Sequence, residues 1–125
     1  MKTDDLKKRT KKFAHDCVKL AMQLPETALG KHIRSQLIRS STSVAANYRA
    51  AILAQSKSAF IAKLSIVLEE SDESHFWLEF ILEEKLMPAD ALTHLLQEAH
   101  ELTSIFFSSR KTLRMQAQVN NSILE

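Results

Sequence analysis

Glycine and proline are nearly missing from this chain, with one glycine and two prolines in 125 residues. Tight turns and sheet edges consume both, since Gly supplies left-handed conformations and Pro a fixed φ. Their scarcity excludes a β-rich fold and leaves long helices joined by short connections. Cysteine is as scarce. Cys17 stands alone, so an internal disulfide and a Cys-rich zinc site are both excluded, and its place on an apolar stripe marks it as a small buried hydrophobe. Long apolar runs are missing too. None approaches the ~18 residues of a membrane span, and the opening MKTDDLKKRTKK is too polar for the apolar core of a signal peptide. The expectation is a cytoplasmic chain with no membrane partner.

What is present is 45% hydrophobic and 26% charged, the balance of an ordinary globular domain, and the length suffices for one modest core. Apolar residues recur at helical spacing in four segments. Leu6, Thr10, Phe13, Cys17, Leu20 and Leu24 form the first seam, which Pro25 ends while starting the next segment. Ile33, Leu37, Ser40, Val44, Tyr48 and Ala51 form the second. After a break at Gln55–Ser58, where Ser56 or Ser58 offers an N-cap, Phe60, Leu64, Val67, Ser71, His75, Leu78 and Leu82 form the third. Beyond Met87-Pro88-Ala89-Asp90, Leu92, Leu95, Ala99, Leu102, Phe106 and Leu113 mark a fourth. Short connections make sequential helices antiparallel neighbours. The predicted fold is all-α, an up-down four-helix bundle over residues 1–113, with 114–125 a frayed tail.

Charge is unevenly spread behind a formal net charge of +2. The first helix is basic, and Lys8, Lys11, Lys12 and Lys19 point away from its seam; Lys31 and Arg34 follow near the start of the second. These six are the candidate contacts to RNA or DNA phosphates. The third helix is acidic, with Glu69, Glu70, Asp72, Glu73, Glu79, Glu83 and Glu84. It also carries Ile66, Phe76, Trp77 and Phe80 on the side opposite Leu64, Leu78 and Leu82. Monomers rarely leave such a patch exposed, so these four residues are the candidate oligomer interface.

The stretch Ile38–Arg49 raises a separate question, because hydroxyls, an amide and a guanidinium sit where Leu would bury more area. Burying them unpartnered costs a few kcal/mol each. Gln36, Arg39, Ser43 and Asn47 are therefore expected to form a structural polar network with the acids of the third helix, Glu73 first, or with backbone carbonyls.

Catalytic and metal motifs are hard to find, and no cofactor is implied. A di-iron bundle site needs two Glu-x-x-His pairs. Asp72-Glu73-Ser74-His75 is the nearest approach, and it has no second copy. His94, Glu98 and Glu101 share one face of the fourth helix, where a solvated surface is expected. A single glycine cannot build a phosphate-cradling loop. Arg9 and His15 fit the loose Arg-x(4–6)-His spacing of HEPN-type ribonucleases, a remote enzymatic alternative to a non-enzymatic protein.

Gln36-Leu37-Ile38-Arg39-Ser40-Ser41-Thr42-Ser43-Val44-Ala45-Ala46-Asn47-Tyr48-Arg49 and Glu70-Ser71-Asp72-Glu73-Ser74 resemble the 23S rRNA intervening-sequence protein family. There a Leu-Pro break leads into a Gln-x-x-Arg-Ser-x-x-Ser-x-x-x-Asn helix, and a Glu-rich third helix carries Trp-Leu-Glu in one branch. Leu24-Pro25, Gln36, Arg39, Ser40, Ser43, Asn47, Glu73 and Trp77-Leu78-Glu79 match; Ala50-Ala51 stands where an acid is expected. The resemblance implies a homopentamer of four-helix bundles around a central channel. Some members are encoded within inserts of ribosomal RNA genes, and a related bundle binds reverse transcriptase and nucleic acid. No activity is established for the family. The resulting expectation is an oligomeric, non-enzymatic bundle that binds RNA or DNA, with a protein-interaction scaffold as the alternative.

Overall fold

A computed structural model of the chain describes residues 3–124, with side chains from 3 to 120. Four α-helices follow one another: α1 (Thr3–Ala21), α2 (Ala28–Ile52), α3 (Lys57–Glu83) and α4 (Ala89–Leu124). There is no strand among the described residues. Each helix packs on its sequence neighbours, and α4 returns to meet α1 along a much narrower seam. This is the up-down bundle that short connections impose.

Caps set the helix boundaries. α1 ends at Ala21, and Thr27 caps α2 by accepting a hydrogen bond from the Gly30 amide at 3.0 Å. Pro25 thus lies inside the connection and does not start α2. The only glycine has a steric reason to be there, because a Cβ on Gly30 would collide with the Pro25 carbonyl. Ser56 caps α3 through the Ala59 amide at 3.1 Å. At the other end of α3, Lys85 adopts φ 55°. Its amide bonds the Leu82 carbonyl at 3.1 Å and the Leu86 amide bonds Ile81 at 3.0 Å. This Schellman arrangement usually places Gly where Lys85 stands.

Phe13, Cys17, Ile33, Leu37, Val44, Leu64, Val67, Leu78, Ile81, Leu92, Leu102 and Phe106 fill the core. Burial pushes the Cys17 thiol pKa up, against a weaker opposing hydrogen bond from Ser41. That thiol behaves as a small apolar group. The seam of α3 differs from its prediction. Inward positions are Leu64, Val67, Leu68, Ser71, Ser74, Leu78 and Ile81, while His75 is half-buried and Leu82 is 36% exposed. Two heptad rows, 64-71-78 and 67-74-81, face the core. The predicted seam takes His75 and Leu82 where Ser74 and Ile81 face inward, a shift of one residue. Residues 114–124 depart from the expected fraying, since α4 continues as helix to Leu124. From 114 to 120 only Ala117 is even half-buried, so this segment leaves the core while staying helical. Glu125 lies outside the described residues.

Candidate functional site

The polar row of α2 meets α3. Arg39 Nη1 donates to Glu70 at 3.1 Å and Nη2 donates to Glu73. Gln36 Oε1 accepts from Arg39 Nε at 3.4 Å, and Trp77 Nε1 donates to Glu73 at 3.0 Å. Burial raises the Glu73 pKa, but the hydrogen bonds from Trp77 and Arg39 and the Arg39 charge outweigh it, so the net shift is downward. Asn47 lies apart from this network. Its side-chain amide bonds the Ser43 carbonyl at 3.0 Å and the Ser43 hydroxyl at 2.8 Å, within α2. It lies about two helical turns beyond Arg39, the residue that reaches Glu73.

Below this network the hydroxyls of Ser40 and Ser74, both fully buried, hydrogen-bond across α2 and α3 at 3.1 Å. Ser40 also reaches the Leu37 carbonyl at 3.4 Å and Ser74 the Glu70 carbonyl at 2.9 Å. Among the described residues no buried side-chain nitrogen or oxygen lacks a partner. Small hydroxyls bring the two helices close without an orphaned polar group.

The four apolar residues of α3 do not share one outer face. Trp77 and Phe80 pack against the core as partly buried residues, and His32 meets the Trp77 ring edge-on at 5.5 Å. Ile66 is half-buried. Phe76 alone of the four is open, at 50% exposure. In a straight helix a step of one residue turns the side chain by about 100°, so 76 and 77 cannot point the same way.

The six basic candidates also separate. Lys8, Lys11, Lys12, Lys19 and Lys31 are exposed. Lys12 pairs with Asp16 at 2.8 Å. Arg34 is removed from the candidate surface. Its guanidinium donates to the Leu24 carbonyl at 2.9 Å, the Ala21 carbonyl at 3.3 Å and the Glu26 carboxylate, and it locks the α1–α2 connection. Lys19 and Lys31 lie beside that connection, at the opposite end of the bundle from Lys8.

A stronger basic surface lies at the end where α1 begins, α2 ends, α3 begins and α4 runs on. Beneath it the buried Tyr48 ring packs tilted against Phe106, with 5.5 Å between ring centres. No acid occurs from 27 to 68 or from 102 to 124. Arg49, Lys57, Lys63, Arg110, Lys111 and Arg114 therefore fall on helix segments at this end, where the first turn of α1 adds Asp4 and Asp5. None of these six makes an ion pair among the described residues, and Phe107 stands 52% exposed beside Arg110 and Lys111. These residues were missed because they come from three separate segments; the available signal was the absence of acids.

Other expected groupings do not form. Arg9 donates twice to Glu98, at 2.7 Å each, with Glu101 at 3.6 Å, so Glu98 is not simply solvated. His15 instead lines a groove between α1 and α2, and the two residues do not converge. Glu73 turns to α2, whereas His75 approaches His100 of α4 with ring centres 6.2 Å apart. Among the described residues no three His, Cys, Asp or Glu side chains cluster as metal ligands, and no helix is long and apolar enough to cross a membrane.

Fold and site define an all-α antiparallel bundle with a polar α2–α3 seam and one end rich in cations that make no ion pair among the described residues. The chain belongs to the 23S rRNA-intervening sequence protein family, whose model matches residues 2–108. Among solved structures it is similar to a protein of unknown function from the S23 ribosomal protein family of Bacteroides thetaiotaomicron, 31% identical, with a TM-score of 0.80 over 89% of this chain and 99% of that one. A search of the curated proteins gives no match.

Proposed function

We propose that this protein is a non-enzymatic, cytoplasmic, oligomeric bundle that binds RNA or DNA through phosphate contacts. The cation-rich end of the bundle carries this reading. Lys57, Lys63, Arg110, Lys111 and Arg114, none in an ion pair among the described residues, and the exposed Phe107 suit a flexible polyanion: the charges hold phosphates and the ring stacks a base. A homopentamer, the assembly implied by the family resemblance, would repeat the surface and give a long strand several weak contacts at once. One observation favours the alternative, a scaffold for protein partners such as a reverse transcriptase: the groove between α1 and α2 has an apolar floor.

Anisotropy of a labelled single-stranded RNA tests the proposal. Replacing Lys57, Lys63, Arg110 and Lys111 by Gln should weaken binding by about tenfold or more at moderate salt. Replacing Lys19 and Lys31 at the opposite end should change it by less than about twofold. Equal losses from both sets would point to general charge, and no loss from the first set would leave the scaffold reading.

A further inference from the structure

The groove has a volume of about 430 Å³ and runs between α1 and α2. Ala14, Val18, Ala45 and Ala46 form its floor, and Lys7, Lys11 and Arg49 rim it. None of these three cations has an ion-pair partner among the described residues. Elsewhere on the molecule the outward face of α3 is a ridge of matching chemistry. Glu69, Asp72, Phe76, Glu79 and Glu83 recur at helical spacing and all are exposed. Of its acids, only Glu79 has an ion pair, with His75 at 3.2 Å.

We infer that the α3 ridge of one copy docks in the α1–α2 groove of the next, with Phe76 over Ala45 and Ala46 and the ridge acids against Lys7, Lys11 and Arg49. This rests on the oligomeric part of the proposed function and says which surfaces mate. Length supports it. At 1.5 Å per residue, Lys7 to Val18 spans roughly 17 Å and the ridge from Glu69 to Glu83 roughly 21 Å, enough to cover the groove. Charge decides between the two possible symmetries. A two-fold contact of ridge on ridge places the same patch opposite itself. The ridge is symmetric about Phe76, so its acids would face acids in an antiparallel crossing. Ridge on groove replaces that repulsion with opposite charges. Such a contact joins unlike surfaces, so each copy has one of each to offer, and repetition closes a ring or extends a filament.

Two variants and their mixture test the pairing. Phe76→Glu spoils the ridge and keeps the groove; Ala46→Glu spoils the groove and keeps the ridge. Both positions are exposed, and circular dichroism checks that each variant stays helical; a Lys7→Glu, Lys11→Glu variant replaces Ala46→Glu should that one unfold. By light scattering the wild type should be oligomeric and each variant alone monomeric. Mixed in equal amounts, the two should form a 1:1 dimer through the surviving ridge and groove. A monomeric wild type overturns this inference together with the oligomeric reading. An oligomeric wild type with a monomeric Phe76→Glu variant, but no dimer on mixing, overturns the ridge–groove pairing and leaves self-association through α3 standing. An oligomer that survives both variants places the interface elsewhere.

Discussion

A side chain at residue 30 would share its space with the Pro25 carbonyl, which folds back over the first turn of α2. Gly30→Ala should cost about 1–3 kcal/mol in chemical denaturation, the usual penalty for overpacking. Lys85 presents the opposite case. Its left-handed φ of 55° strains any residue with a Cβ, and Lys85→Gly should stabilise the protein by about 0.5–1 kcal/mol by the same measurement. Ser40 answers the question raised by polar groups on the α2 seam. It is fully buried against Ser74, so Ser40→Leu should destabilise by about 1–3 kcal/mol despite the added apolar area. An unchanged midpoint would mean that the α2–α3 crossing has room to spare.

Among the elements, α2 and α3 are tied most closely, and pH reports on their polar seam. The Glu73 carboxyl has a lowered pKa in the folded state, held by Trp77 and Arg39 against the opposing effect of burial. A carboxyl lowered on folding contributes its stability above its unfolded pKa and loses it as pH falls through the folded value. Melting temperature should therefore hold steady near neutral pH and fall once pH drops below the ordinary glutamate range. Glu73→Gln should flatten that acid limb; an identical limb would assign it to other carboxyls. The seams of α1, α2 and α4 were legible because large apolar residues mark them. That of α3 differs by one residue because the inward Ser74 carries no apolar signal, and the adjacent Ile81 and Leu82 are equally apolar, so hydrophobicity does not choose between the two rows. The Arg39–Glu73 pairing was anticipated from complementary charge, whereas the Asn47 bond within α2 depends on a rotamer that spacing does not define. Trp77 was read as exposed because aromatic residues at 76 and 77 were assigned one face, although adjacent helical residues diverge.

At the level of the whole molecule, the bundle is polarised along its length, and sequence order hides this. Arg49, Lys63 and Arg110 are far apart in the chain and fall at one end only because antiparallel helices bring alternate ends together. The groove between α1 and α2 was hidden for the same reason. Steepness of the salt dependence is the most direct test of a phosphate-binding end. Each phosphate neutralised on a single strand contributes roughly −0.7 to the slope of log K against log salt. With about four or five contacts for each bound end, labelled RNA titrated across a salt series should give a slope of about −3 or steeper. A slope near zero, or saturable binding that ignores salt, would contradict the account.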